Sequence, residues 1–295
     1  MCKKKPLGLC CVAVPLAVWL TICRVQAEVV IDYNTTIDYA VSDNVRIVEG
    51  ANPNPPTIVD IVTGAILWEL RVEDSSELNF FGGRLGDPIR AVDHSVVNFS
   101  GRISDDVNCY DFSTLNISGG ECDAVYAYDF ATVNVYDGEI SDELEAGQHS
   151  TVNISGGTFP DGVYAVDSST VNVSGGIITG DPTWSSLHAG DQSELNLSGG
   201  EISRLISGWI WPNGEPQTAV VTVYGTEFNY PYGPIGDSSG TLTGTLASGD
   251  LIDAPFEIYG DASIVLVVPE PASLVALGIA ALCGLACARR HRKRN

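Results

Sequence analysis

Residues 151–157 read Thr-Val-Asn-Ile-Ser-Gly-Gly, and variants of this heptapeptide recur along most of the chain. Each copy centres on an asparagine between two apolar residues, and successive asparagines are 19, 18, 18, 19, 19 and 24 residues apart. The asparagines are Asn79, Asn98, Asn116, Asn134, Asn153, Asn172 and Asn196. A period near 20 with a fixed apolar frame is typical of a solenoid, in which each repeat is one coil that buries its core against its neighbours.

The residues around each asparagine define the walls of the coil. Its two neighbours are apolar, which is the period-two pattern of a strand with the neighbours on one face and the asparagine on the other. Further apolar or small residues recur nine before, seven before and six after the asparagine; for Asn153 these are Leu144, Ala146 and Phe159. Three short strands per repeat follow, separated by turns.

This frame predicts an all-β fold, a parallel β-helix whose coils of 18–19 residues stack about 4.8 Å apart. A helical bundle or a β-sandwich does not explain apolar columns that recur in one order. A left-handed β-helix expects apolar residues every six positions, so the uneven spacing favours the right-handed form. The frame recurs at Val221-Thr222-Val223, followed by Phe228, and insertions at 181–186 and 209–217 account for the two long steps.

The repeats and the composition of the two ends divide the chain into five segments. These are a signal peptide (1–27), an N-terminal cap with the first coils (28–69), the β-helix repeats (70–230), C-terminal coils or a cap (231–268) and a sorting signal with a short membrane helix (269–295).

Two kinds of turn connect the strands. One is Ser-Gly-Gly, in which glycine can adopt a positive φ. The other carries an aspartate, which caps a tight turn through side-chain hydrogen bonds to the backbone. The residues at this position are Asp74, Asp93, Asp111, Asp129, Gln148, Asp167 and Asp191. Because carboxylates stacked on one edge could share a hard cation, Asp93, Asp111 and Asp129 are weak calcium candidates, and no other cofactor is predicted.

The asparagine column has two possible roles, one structural and one in binding. Outward amides stacked in register can form hydrogen bonds along the axis, as asparagine ladders do. With the parallel stripe of Thr114, Thr132, Thr151 and Thr170, they also form a flat polar face that could contact glycans. The candidate face consists of Asn98, Asn116, Asn134, Asn153, Asn172 and Asn196, of which all but Asn134 begin an Asn-x-Ser sequon.

The N-terminal 27 residues have the layout of a secretory signal. Lys3, Lys4 and Lys5 precede an apolar run over residues 7–22, and Val25-Gln26-Ala27 is a cleavage-like site. At the other end, Pro269-Glu270-Pro271 precedes an apolar stretch over residues 274–288 that is short for a spanning helix. A basic tail follows it: Arg289, Arg290, Arg292, Lys293 and Arg294.

Pro-Glu-Pro, a short apolar helix and an arginine cluster together resemble the PEP-CTERM sorting signal of Gram-negative bacteria. The resemblance covers about the last 27 residues. It implies export, a transient inner-membrane anchor through the tail, and processing by an exosortase-type protease, often in organisms that make an exopolysaccharide. The expected destination is the cell surface or the extracellular matrix. More loosely, the repeats are similar to β-helix regions of planctomycete members of that group.

Charge restricts the partners of the exported part. Residues 28–268 contain six arginines, no lysine and 36 acidic residues, a formal charge of −30. Such a surface repels nucleic acids and anionic polymers. Cys109 and Cys122 are the cysteines of this part, both in inward columns but on different walls, and the sequence leaves open whether they form a disulfide.

No catalytic constellation is evident, so we predict that the chain is not an enzyme. The adjacent pair Asp105-Asp106 lies in a coil turn, and the arginines are scattered. His94 and His149 share an outward column but lie three coils apart, about 14 Å, too far for one zinc ion.

The leading functional hypothesis is therefore an exported, non-catalytic surface or matrix protein. The first alternative is a carbohydrate-binding or adhesive module that uses the polar face and the aromatic loops around Trp184, Trp209 and Trp211. The second is a degenerate polysaccharide lyase or glycoside hydrolase, which a cluster of carboxylates with an arginine in one groove would favour.

Overall fold

The computed structural model describes residues 28–41, 43–50, 56–62, 66–82, 84–180, 186–208 and 218–269. The described part is built of β-strands and turns and contains no α-helix. The all-β prediction is therefore confirmed.

Twenty-eight strands follow one another along the described chain. The first coils contain β1 (Glu28–Ile31), β2 (Thr35–Ile37), β3 (Asn44–Ile47), β4 (Ile58–Ile61), β5 (Ile66–Leu67), β6 (Leu70–Val72), β7 (Glu77–Phe80), β8 (Arg84–Leu85), β9 (Ile89–Ala91), β10 (Val96–Phe99) and β11 (Arg102–Ile103). The central coils contain β12 (Val107–Cys109), β13 (Thr114–Cys122), β14 (Val125–Ala127), β15 (Thr132–Ile140), β16 (Leu144–Ala146), β17 (Thr151–Ile154), β18 (Thr158–Phe159), β19 (Val163–Ala165) and β20 (Thr170–Ile178). The last part contains β21 (Leu187–Ala189), β22 (Glu194–Ile202), β23 (Leu205–Ser207), β24 (Val220–Thr226), β25 (Gly233–Pro234), β26 (Ser239–Leu246), β27 (Leu251–Ile258) and β28 (Ser263–Val267).

These strands stack as three parallel walls, which confirms the predicted β-helix. Wall A consists of β1, β3, β6, β9, β12, β14, β16, β19, β21 and β23. Wall B is built around the asparagine strands, from β2 through β4, β7, β10, β13, β15, β17, β20, β22 and β24 to β28. Wall C is formed by β5, β8, β11 and β18 and by the C-terminal ends of β13, β15, β20 and β22. The right-handed sense of the coil stays a prediction.

The register of wall B follows the repeat seen in the sequence. Asn98 pairs with Asn79 and Asn116, and the same pairing continues coil by coil to Asn196. A one-residue slip would turn every apolar neighbour outward, so the apolar frame fixes this register.

The core lies between the three walls. The predicted inward neighbours of the asparagines are buried on every coil, as Val152 and Ile154 show. The columns before and after them are buried too, with small residues such as Ala146 facing larger ones such as Phe159. The rings of Phe80 and Phe99 stack inside the first coils with centroids 5.6 Å apart. Each coil is therefore stabilised mainly by apolar surface that it buries against the next coil.

The Ser-Gly-Gly turn is needed because coils approach closely there. A Cβ atom at Gly156 would lie 2.2 Å from the carbonyl oxygen of Tyr136 on the preceding coil. The next glycine, Gly157, has a φ of +94°, in the region that favours glycine. Steric fit thus requires a glycine at position 156, and the backbone conformation favours one at position 157.

The C-terminal end departs from the repeat. Val221–Val223 pairs in register with Leu195–Leu197, as predicted, but Gly225 and Thr226 pair antiparallel with β26. β26 and β27 form an antiparallel hairpin, and β27 joins wall A through β23. β28 adds a last parallel strand to wall B and pairs antiparallel with β25. Phe228, expected to continue an apolar column, packs at the edge of the core beside Gly225.

Candidate functional surfaces

The asparagines of wall B form a continuous hydrogen-bonded ladder, as expected for amides stacked in register, and contact of this face with glycans stays a prediction. The Nδ2 atom of each asparagine donates to the Oδ1 atom of the equivalent side chain one coil earlier, at 2.8–3.0 Å. The ladder starts at Asp60, which accepts from Asn79, and ends at Asn196, which accepts a 3.5 Å bond from the Tyr224 hydroxyl. One donor and one acceptor of each internal amide are thereby used within the column.

The ladder lies in a flat polar face of half-buried side chains. The threonine stripe runs beside it in register. A third column follows on the other side, where Ser118, Ser155 and Ser174 donate to backbone carbonyls of the preceding coil. The five sequon asparagines therefore sit inside a hydrogen-bonded array, and their amides stabilise the stacking of the coils.

A second ladder runs along the turn between walls A and B. All seven predicted turn residues have φ between +56° and +58°, a conformation that aspartate tolerates better than most residues. Each side chain from Asp74 to Asp191 accepts a hydrogen bond, at 2.9–3.3 Å, from the backbone N–H of the equivalent residue one coil earlier. These side chains thus cap the turn through bonds to the backbone, and the backbone N–H that each one accepts from belongs to the neighbouring coil.

The calcium candidates belong to this second ladder. Asp93, Asp111 and Asp129 each direct Oδ2 towards a backbone N–H of the neighbouring coil. Within the described residues, no three His, Cys, Asp or Glu side chains are grouped so that they could hold a metal ion.

An exposed aromatic column lies next to the aspartates, and only its two histidines were predicted from the sequence to share an outward column. The residue after each turn aspartate points outward, and on four consecutive coils the rings of His94, Phe112, Phe130 and His149 stack with centroids 5.2–5.3 Å apart. Phe112 is 56% and Phe130 53% exposed. The aligned repeats contain the pattern that would have predicted this column, because both phenylalanines stand between the two histidines at the same position of consecutive repeats.

Five arginines of the described residues are held in ion pairs. Arg46 and Arg71 both contact Glu73, and Arg90 lies 3.5 Å from Glu69. Arg102 pairs with Glu121 at 2.8 Å and Arg204 with Glu257 at 2.6 Å. These side chains are spread over both ends of the solenoid, in line with the scattered positions predicted.

The pair Asp105-Asp106 occupies the turn between walls C and A. The Oδ1 atom of Asp105 accepts from the Asp106 backbone N–H at 2.8 Å. Partial burial, and then the Asp105 charge, raise the pKa of Asp106; the charges of Asp123 and Asp142 on the following coils act in the same direction. The environment of this pair is acidic, whereas a polyuronate site would need a cation.

The two cysteines of the solenoid are free thiols. Cys109 ends β12 on wall A and Cys122 ends β13 on wall C, and both are buried. Burial raises the pKa of each thiol to about 12, so both are protonated at neutral pH.

A groove of about 840 Å³ lies between the coils and the C-terminal hairpin. Its coil side runs from Asp137 through Thr158 and Ile177 to Glu201, and its other side is the start of β27 with Leu251 and Asp253. The tip of the hairpin closes one end: the Ser248 N–H donates to the Ser198 carbonyl at 2.8 Å, and the Gly200 N–H donates to Asp250 Oδ2 at 2.9 Å. The groove was not predicted from the sequence, because the hairpin that forms one side of it was not predicted either.

Several predicted features lie outside the described residues. These are the signal peptide 1–27, Glu270 and Pro271 of the sorting motif, the tail helix with its arginines, the insertions 181–185 and 209–217, and Trp184, Trp209 and Trp211. Within the described residues, the structure has no helix long and apolar enough to cross a bilayer.

A family model for the PEP-CTERM protein-sorting motif matches residues 267–293. The chain carries a PEP-CTERM sorting motif. The motif implies export towards the cell surface and processing by an exosortase-type system. Its first matched residue, Val267, is also the last residue of β28, so the PEP-CTERM motif begins where the solenoid ends. No curated protein and no solved structure matches the chain.

Proposed function

We propose that this protein is an exported, non-catalytic β-helix that is displayed at the cell surface or in the extracellular matrix. The observation that carries the proposal is the PEP-CTERM motif at residues 267–293, joined directly to the last strand of wall B. Because no spacer separates the two, the tail would hold the solenoid by its C-terminal end until an exosortase-type protease processes it. While it is held in this way, the solenoid would present its long walls away from the membrane.

The surface chemistry supports a role without catalysis. The asparagine column of wall B and the turn column beside it consist of side chains that bond to the neighbouring coil. The charges of Asp123 and Asp142 also act on the Asp105-Asp106 pair, and five arginines of the described residues are engaged in ion pairs with glutamates. Retention of acidic polysaccharide would be opposed by the charge of −30 over residues 28–268.

Cell fractionation tests the sorting half of the proposal. In a host that has an exosortase, the wild-type chain is expected outside the cytoplasm and without the residues that follow the Pro-Glu-Pro region, as intact mass would show. Pro269→Ala with Pro271→Ala should leave the uncleaved chain in the membrane fraction. The same variant in a host without exosortase is the matched control. Equal processing of wild type and variant would contradict the proposal.

An activity assay tests the non-catalytic half. Purified protein incubated with pectin, alginate and neutral glucans should release neither reducing ends nor the ultraviolet-absorbing unsaturated product of elimination. Turnover that disappears in Asp105→Asn or Asp106→Asn would instead identify the chain as a lyase or hydrolase.

A further inference from the structure

We propose that the groove between the coils and the C-terminal hairpin binds an extended peptide that carries basic residues at every second position. The peptide would add a strand to the free edge of β27, a mode in which main-chain hydrogen bonds give affinity and side chains give specificity. Three features of the described residues support this site: the hydrogen-bonding pattern of the hairpin, the unpaired strand edges at the groove and the charges that line it. Such a site goes beyond export and display.

Alternate residues of β27 direct their backbone groups into the groove. The hairpin strands pair antiparallel, and the Leu246 N–H donates to the Asp250 carbonyl at 2.8 Å, so these two residues form a hydrogen-bonded pair. Hydrogen-bonded and non-hydrogen-bonded pairs alternate along an antiparallel ladder, so Leu251 and Asp253 belong to non-hydrogen-bonded pairs. Their N–H and C=O groups therefore point away from β26, towards the groove that both residues line.

The other strand of the hairpin agrees with this alternation. The Asn229 N–H donates to the Thr243 carbonyl at 3.1 Å, and the Thr243 N–H donates to Asn229 Oδ1 at 2.8 Å. Thr243 is the partner of Asp253 in the hairpin register. The outward groups of this pair are thus bonded on the β26 side, whereas those of Asp253 bond to no described residue. Pro255 occupies the next outward position, as is typical of the edge of a sheet.

The last strand of wall C leaves a second unpaired edge at the groove. The Ile178 carbonyl accepts from the Ser203 N–H of the next coil at 3.0 Å, and Ile202 is the residue equivalent to Ile178 on that coil. β24 pairs with β22 only over Glu194–Leu197, so within the described residues no strand pairs with wall C beyond Ile202. Two unpaired edges therefore border the groove, and such edges are templates for pairing with another chain.

The side chains of the groove determine which peptide fits. Asp137, Glu201 and Asp253 line it, and no lysine, arginine or histidine does so among the described residues. These carboxylates are complementary to basic side chains and repel acidic ones. Ile177 and Leu251, which are 42% and 79% exposed, offer apolar surface to the aliphatic stems of lysine. Successive side chains of a strand point to opposite faces, so basic residues at every second position would all lie on one face.

The first test is a binding titration with the full-length chain, purified in detergent, and a fluorescently labelled hexapeptide of alternating lysine and valine. Methylation of the peptide's backbone nitrogens removes its main-chain donors and keeps its charge. The methylated peptide should bind about tenfold or more weakly, because hydrogen bonds to the outward carbonyls of β27 are lost. A hexapeptide of alternating glutamate and valine should not bind.

Variants of the chain locate the binding edge. Asp253→Pro removes an N–H that points into the groove and takes no part in pairing with β26, and should weaken binding about tenfold or more. Glu201→Gln removes one charge-assisted contact and should weaken it about threefold or more. The matched control is Glu139→Gln, which removes a carboxylate from the same outward column but outside the groove, and should change affinity less than about twofold. Circular dichroism would verify that each variant is folded.

Four outcomes would overturn the proposal. Absence of binding would do so directly. Equal affinity of the methylated peptide would show that the main chain is not paired, and this result decides the question even if Asp253→Pro fails to fold. Equal loss in Glu139→Gln would show diffuse attraction to the acidic surface, and equal affinity for the glutamate peptide would remove the selection by charge. The titration is independent of whether the tail is processed.

Discussion

At the scale of the residue, the three positions centred on the asparagine determine how each repeat packs and stacks. Val152 and Ile154 are buried, whereas the amide of Asn153 lies outside and bonds to Asn134 and Asn172 at 2.9 Å. The apolar pair stabilises the core, and the amide stabilises the stacking of adjacent coils. Substitutions at neighbouring positions should therefore have very different consequences.

We expect Val152→Asp to prevent folding, because it would bury an unpaired charge inside a continuous core. Asn153→Ala removes two hydrogen bonds, each worth about 1 kcal/mol, and should lower the melting temperature by about 4–8 °C. Thermal denaturation followed by circular dichroism measures both. If both variants unfolded equally, the assignment of inward and outward positions would be wrong.

The sequence predicted this residue pattern well because a period of two determines which side chains face the core and which face outward. The inward columns, the turn aspartates and the amide ladder all follow from aligning the repeats. The left-handed conformation of residues such as Asp111, and its bond to the N–H of Asp93 on the preceding coil, could not be derived in the same way. Both depend on how closely the coils are stacked, which the repeat alone does not specify.

At the scale of the element, the C-terminal hairpin changes the molecule most. It replaces the next coil on wall A through the pairing of β27 with β23, and it forms one side of the groove. The alternating residues of β26 and β27, separated by Ala247-Ser248-Gly249-Asp250, are a hairpin signal in the sequence. Their docking on the coils is not readable from sequence, because it depends on contacts between Asp250 and Gly200, 50 residues apart.

The docking of the hairpin should depend on pH through Asp250. The Gly200 N–H and then the Ser248 hydroxyl hold the pKa of this carboxyl below its ordinary value of 3.8. Since the pKa is lower in the folded state, the ionised group stabilises the fold above about pH 4, and this contribution is lost as the pH falls through the folded pKa.

We therefore expect Asp250→Asn to lower the melting temperature at pH 7 by on the order of 1–2 °C, a small effect because the carboxyl is exposed to solvent. The difference from wild type should disappear as the pH falls below 3.8. Melting curves between pH 7 and 2 measure it, with the exposed Asp261→Asn as control. A difference that is constant over this range would contradict the role of the charge.

At the scale of the whole molecule, the repeat produces a rod of stacked coils. The distance between two equivalent residues is therefore proportional to the number of repeats that separate them. The described wall B runs from β2 to β28, and the sorting motif begins at its last strand. A protein of this kind presents long, regular surfaces, and the groove beside the hairpin interrupts that regularity. The functional proposals both depend on this stacked architecture.

Spin-label distances test that architecture most directly. Glu77 is separated by three coil steps from Thr132, by five from Thr170 and by seven from Val220 in one outward column. Pairs of labelled cysteines at these positions should give distances near 14, 24 and 34 Å, an increase of about 4.8 Å per repeat. Single-label variants control for reaction at the buried Cys109 and Cys122. Distances that fail to rise in proportion to the number of repeats would contradict the stacked β-helix.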